Sequence, residues 1–383
     1  MTEPAVIDAD SHLHEPRTMW RDYIDPGLRE LALVIEDDEL GYSWLSWRGR
    51  RLYLAEVQSP GRAAEIGEDR QRLERGEVAR HRYDEMLPPE YTDPIARSDK
   101  LGQWGIDGSI VFPNFGLLWE QMLADDPIAL CANMGAANRW MADVARSGRG
   151  RLFPVAHLTL RDRNWVISQL RQLAAAGIKL AMVAPAPVDS KALSHRDLDP
   201  VWAAFCEYDV APVFHVANFP PPLHPAWYQG DPEPVDKLMS SLFLWVAPAA
   251  AIASMIIQGT LERFPALRIG VIELTAQWVP YFLLTLDGAS DFYAARHGRP
   301  LVPLRLRPSE YFLQHVRVGC LAYEDPAQLV GLAGEGVFMF GSDWPHAEGI
   351  ADPLGDYQRM AGNLGGSARR ALFGGNARWL LNN

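Results

Sequence analysis

Ala5-Val6-Ile7-Asp8-Ala9-Asp10-Ser11-His12-Leu13-His14-Glu15-Pro16 begins as a short apolar run and ends in carboxylates and imidazoles. Read as a strand, Ala5–Ala9 delivers those polar groups at its C-terminal end. Strand residues alternate between faces, so Asp10 and His12 point the same way. Seven further apolar runs follow at 106–112, 152–158, 178–184, 212–217, 269–274, 316–320 and 337–341. They lack polar alternation, which suits parallel strands buried on both faces. Amphipathic or Ala-rich stretches such as Asp126–Ser147 and Arg161–Ala176 separate them. Eight strand–helix alternations predict an α/β fold of the (β/α)8 TIM-barrel type. An open doubly wound sheet is the alternative, but no GxGxxG follows the first strand.

Residues 20–100 break this rhythm. Leu31 to Leu54 reads as a Trp- and Tyr-rich hairpin with polar turn residues at Glu36–Glu39, and Arg62 to Met86 as an exposed charged helix. The whole chain, 1–383, is therefore expected to be one barrel domain with an insertion of about 20–100 between strands 1 and 2, over the mouth where barrel enzymes keep their sites.

Composition narrows the functional classes. Against 36 Lys and Arg stand 48 Asp and Glu, a net charge of −12 without a basic block. Nucleic acid and anionic membrane surfaces are poor partners for such a chain; a small-molecule substrate is the expected one. The three Cys show no CxxC spacing, and the N-terminus turns polar too early for a signal peptide, so a cytoplasmic location is expected. The apolar stretch Leu242 to Ile257 contains Pro248 and is read as a buried helix rather than a membrane span.

Polar residues at the strand ends carry the chemistry. The fifth run ends in Phe214-His215, the sixth in Ile272-Glu273 and the eighth in Gly341-Ser342-Asp343-Trp344-Pro345-His346. Carboxylates and imidazoles converging on one barrel mouth make a divalent-metal site, with zinc the expected ion and manganese or iron the alternatives. His346 is a candidate substrate contact or acid. Weaker candidates for the pocket are Trp344, His157 and, in the proline-rich loop after the fifth run, His224. Trp44, Trp47, Trp119 and Trp227 also fall where they can line an apolar pocket. No GxSxG elbow or P-loop is present.

Taken together, these motifs resemble the amidohydrolase-2 family, which holds aminocarboxymuconate semialdehyde decarboxylase and related benzoate decarboxylases. The resemblance runs from Val6–His12 through His215, Glu273 with Trp278-Val279-Pro280-Tyr281, and Pro308–Phe312 to Gly341–His346. It implies a metal-dependent enzyme with Asp10, His12, His215 and Asp343 as ligands, Asp343 also taking a proton, and a homodimer as the assembly. The family's decarboxylases carry a His on the sixth strand where Leu274 stands here, with Glu273 beside it. The expected reaction is therefore hydrolysis of an ester, thioester or amide of a largely apolar organic acid through a metal-activated water, with Asp343 or Glu273 moving the proton. Non-oxidative decarboxylation of an aromatic or unsaturated acid is the alternative, and a catalytically inactive binding protein the third. A carbamylated-lysine bridge is not expected, because Lys179 starts its strand and faces the closed end. A second metal would draw on His14, Glu15 or Glu273.

Overall fold

All eight runs form strands, and the strands lie parallel in one sheet. The computed structural model describes residues 5–57, 59–115, 119–216, 219–228 and 233–382. In chain order the strands are β1 (Ile7–Leu13), β2 (Val34–Asp37), β3 (Ser43–Trp47), β4 (Arg50–Leu54), β5 (Gly108–Pro113), β6 (Leu152–His157), β7 (Leu180–Met182), β8 (Ala211–His215), β9 (Ile269–Ile272), β10 (Val316–Gly319) and β11 (Phe338–Met339). Barrel order runs β1-β5-β6-β7-β8-β9-β10-β11. Between β11 and β1 the ladder is irregular: Ala9 N donates to Phe340 O at 2.8 Å, Asp343 N to Asp10 O at 2.9 Å and His12 N to Trp344 O at 2.8 Å. These bonds bring the two edges together, and helices fill the crossovers. The fold is a nearly closed (β/α)8 barrel.

Local sequence explains where several of those helices begin. Asp-Pro pairs at 93–94, 126–127, 325–326 and 352–353 each start one. In each, the Asp carboxylate accepts a backbone N–H of the first turn, and Pro occupies a position whose N–H has no helical partner. Inside the barrel, Ile7, Ile110, Phe112, Val155, Met182, Val213 and Met339 pack into a buried core. Each contributes roughly 1.5–3 kcal/mol by leaving water, and together they make a rigid floor below the mouth.

Three sequence readings need correction. Residues 34–54 are a three-stranded antiparallel sheet, β2-β3-β4, instead of a two-stranded hairpin, because Arg48-Gly49 makes a second tight turn with both residues at positive φ. The charged stretch after it is α-helical only over Ala63–Glu74, and Tyr83 beyond it, which opens a short 3-10 turn, is buried, its hydroxyl donating to Glu15 O just after β1. The apolar stretch read as a buried helix is only partly buried, and Pro248 stands inside its helix. It sits in the first turn of Val246–Ile257, where no N–H is required. Leu238–Ile257 is long and apolar enough by length and mean hydropathy (1.9) to cross a membrane, yet only 39% of it is buried. Leu238, Leu242 and Ile257 are exposed, while Ile252, Met255 and Ile256 pack inward.

Candidate metal centre

The centre is assembled at the irregular seam of the barrel. In β1 the pairing with β5 shifts register between Asp8 and Ser11, and both Asp10 and His12 reach the mouth. His215 arrives from the end of β8. Glu273 and Asp343 follow the ends of β9 and β11, and both have φ of 53°. A left-handed backbone at a non-glycine residue costs on the order of 1–3 kcal/mol and persists only when its surroundings fix it. Those surroundings are identifiable. Beyond Glu273, where Thr275 is also left-handed with φ 58°, the buried Glu324 accepts from Ala276 N, Gln277 N and Leu321 N at 2.7–3.0 Å. Before Asp343, the buried Asp8 accepts from Ser342 N at 2.9 Å and Ser342 Oγ at 2.6 Å.

A close approach also dictates Gly341, where a Cβ would lie 2.9 Å from the Cβ of Asp10. Gly341→Ala should therefore push Asp10 out of register. The expected result is weaker metal binding, a rise of about tenfold or more in the dissociation constant, with secondary structure by circular dichroism unchanged. Wild-type affinity in that variant would show that the seam can absorb the methyl group.

Geometry draws five side chains into one cluster. His12 Nε2 lies 3.2 Å from Asp343 Oδ1, 3.5 Å from Asp10 Oδ1 and 3.8 Å from Glu273 Oε2. His215 Nε2 lies 3.3 Å from Glu273 Oε2 and 3.6 Å from Asp10 Oδ1. Asp10 Oδ1, His12 Nε2, His215 Nε2 and Glu273 Oε2 are buried and have no hydrogen-bond partner among the described residues. Orphaned buried polar atoms are costly, and these four converge. Two donor sets each lie within 4.8 Å: Asp10, His12, His215 and Glu273, and His12, Glu273, Asp343 and His346. Imidazole and carboxylate donors in this number fit a divalent ion.

Electrostatics give the same answer. Burial pushes the Glu273 carboxyl well above its usual range, and the charges of Asp343 and Asp10 push it further. Burial alone would lower the His12 imidazole, but Asp10 and Asp343 outweigh it and raise it to about 9. Burial likewise works against charge on Asp343, yet His346 and His12 hold it below the usual carboxylate range. His215 is pushed down, chiefly by burial. Three carboxylates this close demand positive charge, whether protons or a metal ion.

Beside the cluster, His346 Nδ1 donates to Asp343 Oδ1 at 2.7 Å, and its Nε2 faces Asn114 Oδ1 at 2.8 Å. The ring stacks on His12 with centroids 3.9 Å apart. Asn114 follows β5; sequence reading passed over it because a single Asn after an apolar run carries no spacing signal. Glu324 and Asp8 were missed for the same reason.

The other candidates lie elsewhere. His14 is buried among Tyr83, Tyr91 and Phe115 and joins neither donor set. Glu15 accepts from Phe115 N with both oxygens. His157 is buried and paired with Glu120 at 3.0 Å. His224 is exposed, its Nδ1 accepting from Ala226 N, and is not brought to the cluster. Trp119 and Trp344 are buried, Trp119 against His157 and Trp344 among Arg97, Tyr91 and Trp104, and form no open wall, whereas Trp227 is exposed. Lys179 donates to Asp209 at 2.7 Å, at the closed end.

The fold is that of barrel enzymes, and its mouth gathers a donor set able to take a divalent ion. A family model described as Amidohydrolase, of the amidohydrolase-2 type, matches residues 9–382, and the chain belongs to that family. Among solved structures it is similar to the amidohydrolase map2389c of Mycobacterium avium subsp. paratuberculosis, 25% identical over 100% of both chains with a TM-score of 0.80. It shares its fold with the 5-carboxyvanillate decarboxylase of Novosphingobium aromaticivorans complexed with manganese and 4-hydroxy-3-methoxy-5-nitrobenzoic acid, 17% identical over 100% of this chain and 97% of that one, TM-score 0.63. The 2,6-dihydroxybenzoate decarboxylase from Rhizobium is 15% identical over 99% of each chain, TM-score 0.60. No curated protein matches the chain.

Proposed function

We propose that this chain is a metal-dependent non-oxidative decarboxylase of an aromatic or unsaturated acid, and that its ion is held by Asp10, His12 and His215 with Glu273 or Asp343. The observation that carries this reading is His346, held between Asp343 and Asn114 and stacked on His12. Both ring nitrogens face oxygen atoms of neighbouring side chains, a setting in which an imidazole can serve as a proton donor. Decarboxylation needs such a group. When the C–C bond to the carboxylate breaks, CO2 leaves, the electron pair stays on the ring or vinyl carbon, and that carbon must receive a proton. The missing His after β9, where the core residue Leu274 stands, had left that role unfilled; His346 fills it. Asp343 keeps the imidazole oriented. A bound divalent ion would fix the acid's oxygen atoms and withdraw charge from them. The fold's precedents among decarboxylases, and the manganese in one of them, support the same reading. The carboxylate-rich donors favour manganese over the zinc expected from the imidazoles alone.

Hydrolysis of an ester, thioester or amide is the second reading. Glu273 favours it, as a third carboxylate able to take a proton from an attacking water.

The test is incubation in 18O-labelled water with candidate acids and acyl compounds. The expected outcome is CO2 release without label in the product carboxylate, and at least a hundredfold lower turnover in His346→Ala. Label entering a carboxylate would instead establish hydrolysis.

A further inference from the structure

We propose that Arg97 is a positioning residue for the candidate metal ligands His12 and Asp343, an inference that rests on the ligand assignment above. Arg97 lies on the helix Pro94–Trp104 and is fully buried. A buried cation normally sits against a carboxylate, but among the described residues Arg97 forms no ion pair. Its hydrogen bonds go to oxygens of the backbone and of one serine. Nη2 donates to His12 O at 2.6 Å, Nε to Glu90 O at 2.8 Å and Nη1 to Ser11 Oγ at 3.4 Å. Its guanidinium carbon also lies 4.2 Å from the ring centre of Trp344, the residue after Asp343.

That indole is enclosed from two further sides. Tyr91 and Trp104 meet it edge-on, with centroids at 4.9 and 5.2 Å. The backbones of the two ligand segments meet here as well, through His12 N donating to Trp344 O. One planar side chain thus grips the peptide that follows His12 and the ring that follows Asp343, from behind the site. It fixes the angle at which one ligand leaves β1 and the left-handed turn that aims the other. Only a guanidinium combines the fork with the stack; an ammonium supplies charge alone. The chemistry explains why a costly buried cation stands where it does, outside the cluster yet bonded to a ligand's own carbonyl.

A residue that merely supports the fold would change melting temperature without changing affinity for the ion. The discriminating experiment uses the full chain stripped of metal, as wild type, Arg97→Lys, Arg97→Gln and Trp344→Phe. Manganese and zinc are titrated against a chelating dye, and the same stripped samples are melted. The expected result is a dissociation constant raised about 10–100-fold in Arg97→Gln, and by a smaller but clear factor in Arg97→Lys and Trp344→Phe. Stripped Arg97→Lys should melt close to wild type. Should Arg97→Gln fail to fold, the other two variants carry the test in the same direction. Wild-type affinity in Arg97→Lys and Trp344→Phe would overturn the proposal while leaving the ligand assignment standing. A wild-type chain that takes up neither ion would overturn both.

Discussion

Asp343→Asn should lower turnover by about a thousandfold while the barrel stays folded. The magnitude follows from what the carboxylate does. It orients His346 across a 2.7 Å hydrogen bond, and it faces His12 at 3.2 Å. Removing a positioned acid–base partner typically costs 10²–10⁴-fold. The amide keeps the side-chain shape, so left-handed backbone, seam hydrogen bonds and Trp344 packing need not change. Metal content by elemental mass spectrometry separates two routes to the loss. Retained metal with lost turnover assigns Asp343 to proton chemistry; lost metal assigns it to the ligand set. An Asp343→Asn protein with wild-type turnover would show that the centre has been misplaced.

Stripping the ion should cause the largest change in stability, and that change should grow with pH. A ligand that binds only the folded chain stabilises it by RT ln(1 + [L]/Kd), about 4 kcal/mol at a thousandfold excess over Kd. In the stripped protein, positive charge among the carboxylates must come from protons, and His12 holds one up to about pH 9. That folded value lies above the ordinary 6.5, so the proton's contribution is fully present below pH 6.5 and is lost as pH rises through 9. Metal binding needs His12 neutral, so affinity should rise about tenfold per unit between those limits. The difference in melting temperature between loaded and stripped protein should therefore be wider at pH 9 than at pH 6.5. Melting both forms by differential scanning fluorimetry across this window checks it. A difference that narrows with rising pH would contradict the assignment of His12 as a ligand.

The alternation of eight apolar runs with helices was legible without coordinates, because strands buried on both faces need continuous apolar sequence. Where the apolar run stops and polar groups begin is local information too, so Asp10, His12, His215, Glu273 and Asp343 could be named from the strand ends. The tertiary structure decided how they combine. Glu273 enters the first donor set beside Asp10 and His215 because of a left-handed turn that Glu324 stabilises from the neighbouring loop. His14, only two residues past His12, is excluded from both sets, packed among aromatic rings of the insertion and β5 loop. Asn114, Asp8 and Arg97 acquire their roles only when β5, β11 and the helix Pro94–Trp104 close around β1. Periodicity and residue type report what a segment buries and what it can ligate. Contacts across more than 80 residues, such as Arg97 to His12, depend on barrel closure, and no local pattern encodes them.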